Sequence, residues 1–148
     1  MTSNARAAPL PRSAYPARTN DMVRYGDLDP QGHVNNAVFV TFFETGRVAV
    51  FRDPKSSFYV PGANIVMARL EIDFRQELRW PNTIEIGSGI VAFGRTSYTF
   101  AQGIFCGDVC AATCRATVVL IDNETRRPRP LPDDMRASLQ ALKIPDVT

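Results

Sequence analysis

Histidine occurs once in this 148-residue chain, at position 33, so no second imidazole can stand in for it. Cysteine is nearly as scarce: Cys106, Cys110 and Cys114 are the only three. An odd number in one short stretch is a poor disulfide framework and fits a reducing compartment. Their C-x3-C-x3-C spacing is not a common zinc spacing. Free cysteine packs readily as a small apolar side chain, so the expectation is buried structural cysteines and no metal. No apolar run approaches the roughly 18–20 residues that a membrane span needs. No positively charged start leads into an apolar segment, which argues against a secretory signal. The expected location is the cytoplasm, with no membrane partner.

Strong charge is also missing. The formal net charge is +2, from 17 basic and 15 acidic side chains. Residues 1–20 hold Arg6, Arg12 and Arg18 and no acid, so the other 128 residues carry 14 basic and 15 acidic groups. The basicity belongs to the tail. A nucleic-acid-binding domain holds its basic face on the body, so nucleic acid is not an expected partner. The tail has the Arg-rich, acid-free composition of an organelle presequence, but Pro9, Pro11 and Pro16 oppose an amphipathic helix. It reads as a disordered or extended leader over residues 1–20. The rest, 21–148, is long enough for one domain with a core, and 45% apolar with 22% charged residues is the composition of a globular chain.

What is present is an ordered alternation of patterns. "DMVRYGD" (21–27) reads as a short strand. "NNAVFVTFFETGRVAVFRD" (35–53) is apolar around most of its circumference, is proline-free and begins with asparagine, a good N-cap residue. It is rich in β-branched and aromatic residues, yet its length and cap predict a buried helix. Thr41, Glu44, Thr45 and Arg52 form a narrow polar line on it. Glu44 and Arg47, three apart, are expected to pair on that exposed stripe, so Glu44 reads as a structural partner and not a catalyst. Residues 54–62 form a loop.

Strands follow at "RLEIDFR" (69–75), "TIEIGSGIVAF" (83–93), "TSYTFAQGIF" (96–105) and "VCAATCRATVVLID" (109–122). Turns fall at "WPN", Gly94-Arg95 and Gly107-Asp108. The last would place Cys110 and Cys114 on one face of the following strand. "PDDMRASLQALK" (132–143) reads as a terminal helix with acids in its first turn. One sheet of that size buries a long helix only by wrapping around it, so the layout is α+β.

Chemistry concentrates in "GDLDPQGHVNN" (26–36), which sets Asp27, Asp29, His33, Asn35 and Asn36 before the buried helix. Pro30 and Gly32 make a tight turn that fixes side-chain directions. At the helix start, unpaired N–H groups and the positive end of the macrodipole can hold an anion or polarise a carbonyl oxygen. A carboxylate at Asp29 facing a polarised acyl carbonyl can attack it or act as general base on a water. A thiolate leaves with little acid assistance, so these groups would suffice for a thioester. The same residues also suit a plain capped turn.

"RYGDLDPQGHVNNAVFVTFFETGR" resembles the motif of hotdog-fold thioesterases of the 4-hydroxybenzoyl-CoA thioesterase type. "LEIDFRQELRWPNTIEI", "GRTSYTF" and "ATVVLIDNETRRPRPLPDDMR" are similar to that family's later strands, so the resemblance covers roughly residues 20–140. It implies a hotdog fold, with an antiparallel five- to six-stranded sheet wrapped around one long buried helix. It implies hydrolysis of acyl-CoA to free acid and coenzyme A, with no cofactor beyond the substrate. Asp29 falls on the family's catalytic aspartate, and Asn36 falls at the helix start where backbone N–H groups polarise the thioester carbonyl. "HVNN" also resembles the plant acyl-carrier-protein thioesterases, in which Asp, Asn and His alternate before "VNN". Here those positions read Asp29, Gln31 and His33, with Gln31 replacing the asparagine. His33 would hydrogen-bond the carboxylate or a water, and Asp27 would order the turn.

The family's sites lie at a dimer interface, so a homodimer, or a tetramer built from two dimers, is expected. Gly94, Arg95, Thr96 and Ser97 would lie where relatives hold coenzyme A. Arg95 reads equally well as a phosphate partner or as an exposed turn residue, and Arg126 and Arg127 as a solvated loop. Phe39, Phe42, Phe43 or Tyr98 would line an acyl or aryl pocket. Carrier-protein thioester hydrolysis, hotdog dehydratase or hydratase chemistry, and non-catalytic acyl-thioester binding are the other readings.

Overall fold

The computed structural model describes residues 7–145. Its elements are β1 (Ala17–Met22), α1 (Asn36–Phe51), β2 (Ala63–Phe74), β3 (Thr83–Phe93), β4 (Ser97–Cys106), β5 (Val109–Asp122) and α2 (Asp133–Ala141). The strands form one antiparallel sheet in the order β1-β3-β4-β5-β2, with β1 and β2 at its edges. This is the expected α+β hotdog arrangement, one sheet wrapped around one long helix.

Period-two alternation gives the three central strands a single apolar face. Ile84, Ile86 and Ile90 of β3, Phe100 and Ile104 of β4, and Ala116, Val118 and Leu120 of β5 are all buried. α1 lays Phe39, Phe42, Phe43 and Val50 into that face. Strand propensity within α1 spans only about 1 kcal/mol per residue. Full burial of one large apolar side chain contributes about 1.5–3 kcal/mol, so packing on the sheet decides for helix. The cap agrees, because the Ala37 N–H donates to Asn35 Oδ1 at 2.9 Å. Gly46 is a point of close approach between helix and sheet. A Cβ there would lie 2.6 Å from Ile86 Cγ2 and 2.8 Å from Gln102 Nε2.

Five expectations are corrected. Arg47 is not on the exposed stripe. It is buried, and its Nη1 donates to Oε1 of buried Gln102 at 3.0 Å. Gln102 Nε2 in turn donates to the Phe43 carbonyl at 2.9 Å and to Ser88 Oγ at 3.0 Å. Helical spacing cannot reveal a polar partner 55 residues away in sequence.

Cys110 and Cys114 do not share a face. Ile104 pairs with Ala112 but Phe105 pairs with Cys110, so the ladder carries a bulge at Ala111. The extra residue turns Cys110 to the outer face, where it packs beside Phe105, while Cys114 stays in the inner core.

The expected leader is part of the fold from at least Leu10 onward. Tyr15 is buried on the outer face of the sheet, and Arg18–Asn20 lie inside β1. Gly87 and Gly103 make room for the ring: a Cβ on Gly87 would lie 2.6 Å from Tyr15 Cγ. Residues 1–6, with Arg6, lie outside the described residues. The first strand therefore ends at Met22, and residues 25–27 form a 3-10 turn instead of its continuation. β2 also begins six residues earlier than its strict alternation shows, because it is an edge strand with few buried positions and an irregular register between Met67 and Arg69.

Candidate active site

Asp29 and His33 face each other across a miniature hairpin. Leu28 bridges to Val34, Asp29 N–H donates to the His33 carbonyl at 2.9 Å, and Gly32 N–H returns to the Asp29 carbonyl at 3.0 Å. Proline early in the turn and glycine at φ 87° are what such a three-residue loop requires. The Gln31 N–H donates to Asp29 Oδ1 at 2.9 Å. That bond aims Oδ2 at His33, whose Nδ1 lies 3.4 Å away. Asp27 orders the entry: its Oδ2 accepts from Arg24 N–H at 2.8 Å and its carbonyl from Asn35 N–H at 2.9 Å.

The hairpin delivers the chain to the start of α1. There Ala37 N–H is capped by Asn35, and Val38 N–H donates to the Asn35 carbonyl. Among the described residues no acceptor meets the Asn36 N–H. It is the free donor at the positive end of the helix.

These groups open onto one cavity of about 440 Å³, lined by Asp29, Gln31, His33 and Asn36, with Val34, Phe39 and Phe74 as apolar wall. Phe39 and Phe74 meet edge to face at 5.2 Å. Of the aromatics expected to line a pocket, Phe39 lines this cavity; Phe42, Phe43 and Tyr98 are buried in the core and do not. The loop after β2 forms the far rim with Arg75, Gln76 and Glu77. Leu78 of that loop is buried, and its carbonyl accepts from Val34 N–H at 2.8 Å. This brings Glu77 Oε1 to 3.7 Å from His33 Nε2. Sequence reasoning missed Glu77: 44 residues separate it from His33, and no local pattern distinguishes it from a surface acid.

Arg95 and Ser97 are not brought to this cavity within one chain. Phe74, beside the site, pairs with Ala112, whereas Ser97 pairs with Val119. Seven residues along β5 correspond to about 23 Å, so the β3–β4 hairpin lies at the opposite end of the sheet. Arg126 and Arg127 are exposed in the turn that follows β5, also at that end. The cysteines stand apart as well. Burial pushes the Cys114 thiol up to about 12, with the Arg47 guanidinium pulling the other way, which leaves a packed thiol and no nucleophile. Among the described residues no His, Cys, Asp and Glu cluster has the geometry to hold a metal ion.

Fold and site together define a class: a hotdog protein with a carboxylate in the hairpin that leads into its central helix. The chain belongs to the thioesterase-like superfamily, whose model matches residues 23–139. Among solved structures it is similar to a thioesterase from Thermus thermophilus, complexed with coenzyme A and Zn, at 31% identity and TM-score 0.76, covering 85% of this chain and 98% of that one. A predicted thioesterase from Bacillus stearothermophilus is 29% identical at TM-score 0.79, covering 88% and 98%. The PA5185 protein of Pseudomonas aeruginosa, 23% identical at TM-score 0.81 over 90% and 96%, shares the fold. No curated protein matches the chain.

Proposed function

We propose that this chain is a cytoplasmic acyl-CoA thioesterase that releases a free acid and coenzyme A. The observation that carries this reading is that Asp29 and Asn36, the first residue of α1, line one cavity with an apolar wall. The thioester carbonyl oxygen takes the Asn36 N–H, where negative charge developing in the transition state is stabilised by the helix end. Asp29 acts on the carbonyl carbon, as general base on a water or as nucleophile. His33 holds the second carboxylate oxygen in place. The acyl group lies along Val34, Phe39 and Phe74. Coenzyme A is part of the substrate, and the reaction needs no cofactor. The coenzyme A carried by the similar Thermus thermophilus thioesterase supports this choice over a carrier protein.

The working unit in this reading is a homodimer. Among the described residues β2 is an edge strand of the sheet, with Val66 and Met67 exposed, and Val40 and Val48 of α1 are exposed as well. Antiparallel pairing of two β2 edges covers this surface. It also carries Arg95 and Ser97 of the partner subunit toward the Asp29 end of this chain, where a guanidinium suits the phosphates of coenzyme A. The test is turnover of a panel of acyl-CoA esters, short to long aliphatic plus benzoyl types, with free coenzyme A followed by chromatography. Release from at least one member supports the reading. No release from any member overturns it in favour of carrier-protein thioesters, dehydration or binding alone.

A further inference from the structure

We propose that Arg75 selects the acyl group: its guanidinium takes a carboxylate at the far end of a short chain, so the preferred substrates are thioesters of dicarboxylic acids. This deepens the hydrolase reading above and rests on it. Arg75 directly follows Phe74, the last residue of β2, and borders two cavities. On one side it lines the cavity of about 440 Å³ that Asp29 and Asn36 also line. On the other it lines a cavity of about 150 Å³ beneath the N-terminal segment, with Leu10 and Tyr15. Among the described residues that line the larger cavity, it is the one lysine or arginine.

Neutral groups hold this side chain in place. Nε donates to Thr113 Oγ1 at 3.1 Å and Nη2 to the Ala7 carbonyl at 3.0 Å, while the Arg75 backbone N–H donates to the Ala111 carbonyl at 2.8 Å. Nη1 meets no acceptor among the described residues. The neighbouring acids are occupied or out of reach. Glu71 pairs with Arg69 and Glu77 with Arg79, and no carboxylate among the described residues comes within ion-pair distance of Arg75. A fully exposed arginine needs no counter-ion, but this one is half-buried and anchored at two of its nitrogens. Tying down the N-terminal segment uses Nη2 alone and does not call for a full positive charge. An oriented, partly desolvated guanidinium with a spare N–H is suited to receive a carboxylate, because little side-chain freedom is left to lose on binding.

Position on the wall selects the kind of anion. Phe74 belongs to the apolar wall along which the acyl group lies, and it meets Phe39 edge to face. A chain that starts from a thioester carbonyl at Asn36 and runs along Phe39 and Phe74 is directed to Arg75. The phosphates of coenzyme A are given to the partner subunit's Arg95 in the hydrolase reading, which leaves Arg75 for the acyl end. A chain without the carboxylate covers the guanidinium and leaves it unpaired. A site built around a polar group rejects an analogue lacking its partner far more strongly than an apolar pocket rejects a missing methylene.

The test compares butyryl-, hexanoyl-, succinyl-, glutaryl- and adipoyl-CoA on wild type, Arg75→Met, Arg75→Lys and Thr113→Val, with unfolding curves for each protein. The expected wild-type kcat/KM for the best dicarboxylic ester is at least about tenfold above that for the best neutral one. In Arg75→Met that ratio falls to about one, chiefly through KM, and Arg75→Lys retains part of it. Thr113→Val removes the Nε acceptor and keeps the charge; it lowers the ratio as well and serves where Arg75→Met does not fold. S-glutaryl pantetheine, which carries no phosphate, separates the two sources of negative charge, and the same dependence on Arg75 is expected with it. A dependence that is equal for all acyl groups and vanishes with the pantetheine ester makes Arg75 a phosphate contact and overturns the proposal. A wild type that hydrolyses neutral esters as well as dicarboxylic ones also overturns it and leaves the hydrolase standing. Calorimetric titration with free glutarate and butyrate reads the contact without turnover. Binding of glutarate alone, lost in Arg75→Met, by a protein that hydrolyses no ester removes the hydrolase reading and keeps the anion site. Neither binding nor hydrolysis removes both.

Discussion

Asp29 and His33 are joined by their backbones as well as their side chains: the Asp29 N–H donates to the His33 carbonyl at 2.9 Å, beneath the 3.4 Å approach of Oδ2 to Nδ1. The pair is thus built by a hairpin of three intervening residues. Its geometry depends on local backbone conformation first and on long-range packing second.

Gly32 is the residue on which that hairpin turns, at φ 87°. Open space surrounds the position of an added Cβ, so substitution acts through the backbone alone. Gly32→Ala is expected to cost about 1–2 kcal/mol, the penalty for an L-residue in left-handed conformation. It should also lower kcat by misaiming Asp29. Urea unfolding and steady-state rates check both, and a variant with unchanged stability would contradict the role given to this turn.

Gln102 satisfies three groups at once: the Arg47 guanidinium, the Phe43 carbonyl and the Ser88 hydroxyl. Gln102→Leu strands a buried cation and should destabilise by about 3 kcal/mol or more. Adding Arg47→Met removes the stranded charge, so the double variant should be more stable than Gln102→Leu alone. Strict additivity in the unfolding midpoints would refute a shared network.

Tyr15 tests the N-terminal segment. Tyr15→Ala empties a site moulded by Gly87, Gly103 and Phe105, and the expected loss is about 3–5 kcal/mol, as for other large core aromatics. A leader without packing would give a change near zero in thermal unfolding.

Asp122 sets a pH dependence. Its Oδ1 accepts from the backbone N–H groups of Thr125 and Glu124 at 2.9 Å each, and these bonds hold its carboxyl below the usual range. A lowered folded-state value stabilises above the unfolded value of about 3.9 and is lost as pH falls through the folded one. The stability gap between wild type and Asp122→Ala should be full at neutral pH and shrink in acid below about pH 4. A gap that stays constant across that range would exclude the effect.

Local signals carried most of the architecture into the sequence. Asn35, the long apolar run and the Pro30–Gly32 turn locate α1 and the hairpin before it, and the bounds of β3 and β5 follow directly from alternation and turns. What escaped depends on contacts distant in sequence. Tyr15 is buried because Gly87 and Gly103 leave space for it, and a proline-rich flank hides that. Cys110 changes face through one bulged residue that no pattern marks. Arg47 reads as solvent-facing until Gln102 is opposite it. Glu77 joins the candidate site through the hydrogen bond from Val34 N–H to the Leu78 carbonyl, 44 residues further along the chain.

The central claim is that Asp29 carries the chemistry. The most direct measurement is kcat/KM of wild type and Asp29→Asn on the best acyl-CoA of the panel, with unfolding curves recorded beside them. A loss of at least about a hundredfold, the scale of an acid–base residue, at unchanged stability is the predicted result. Equal rates in the two proteins would contradict it and move the catalytic site elsewhere on the fold.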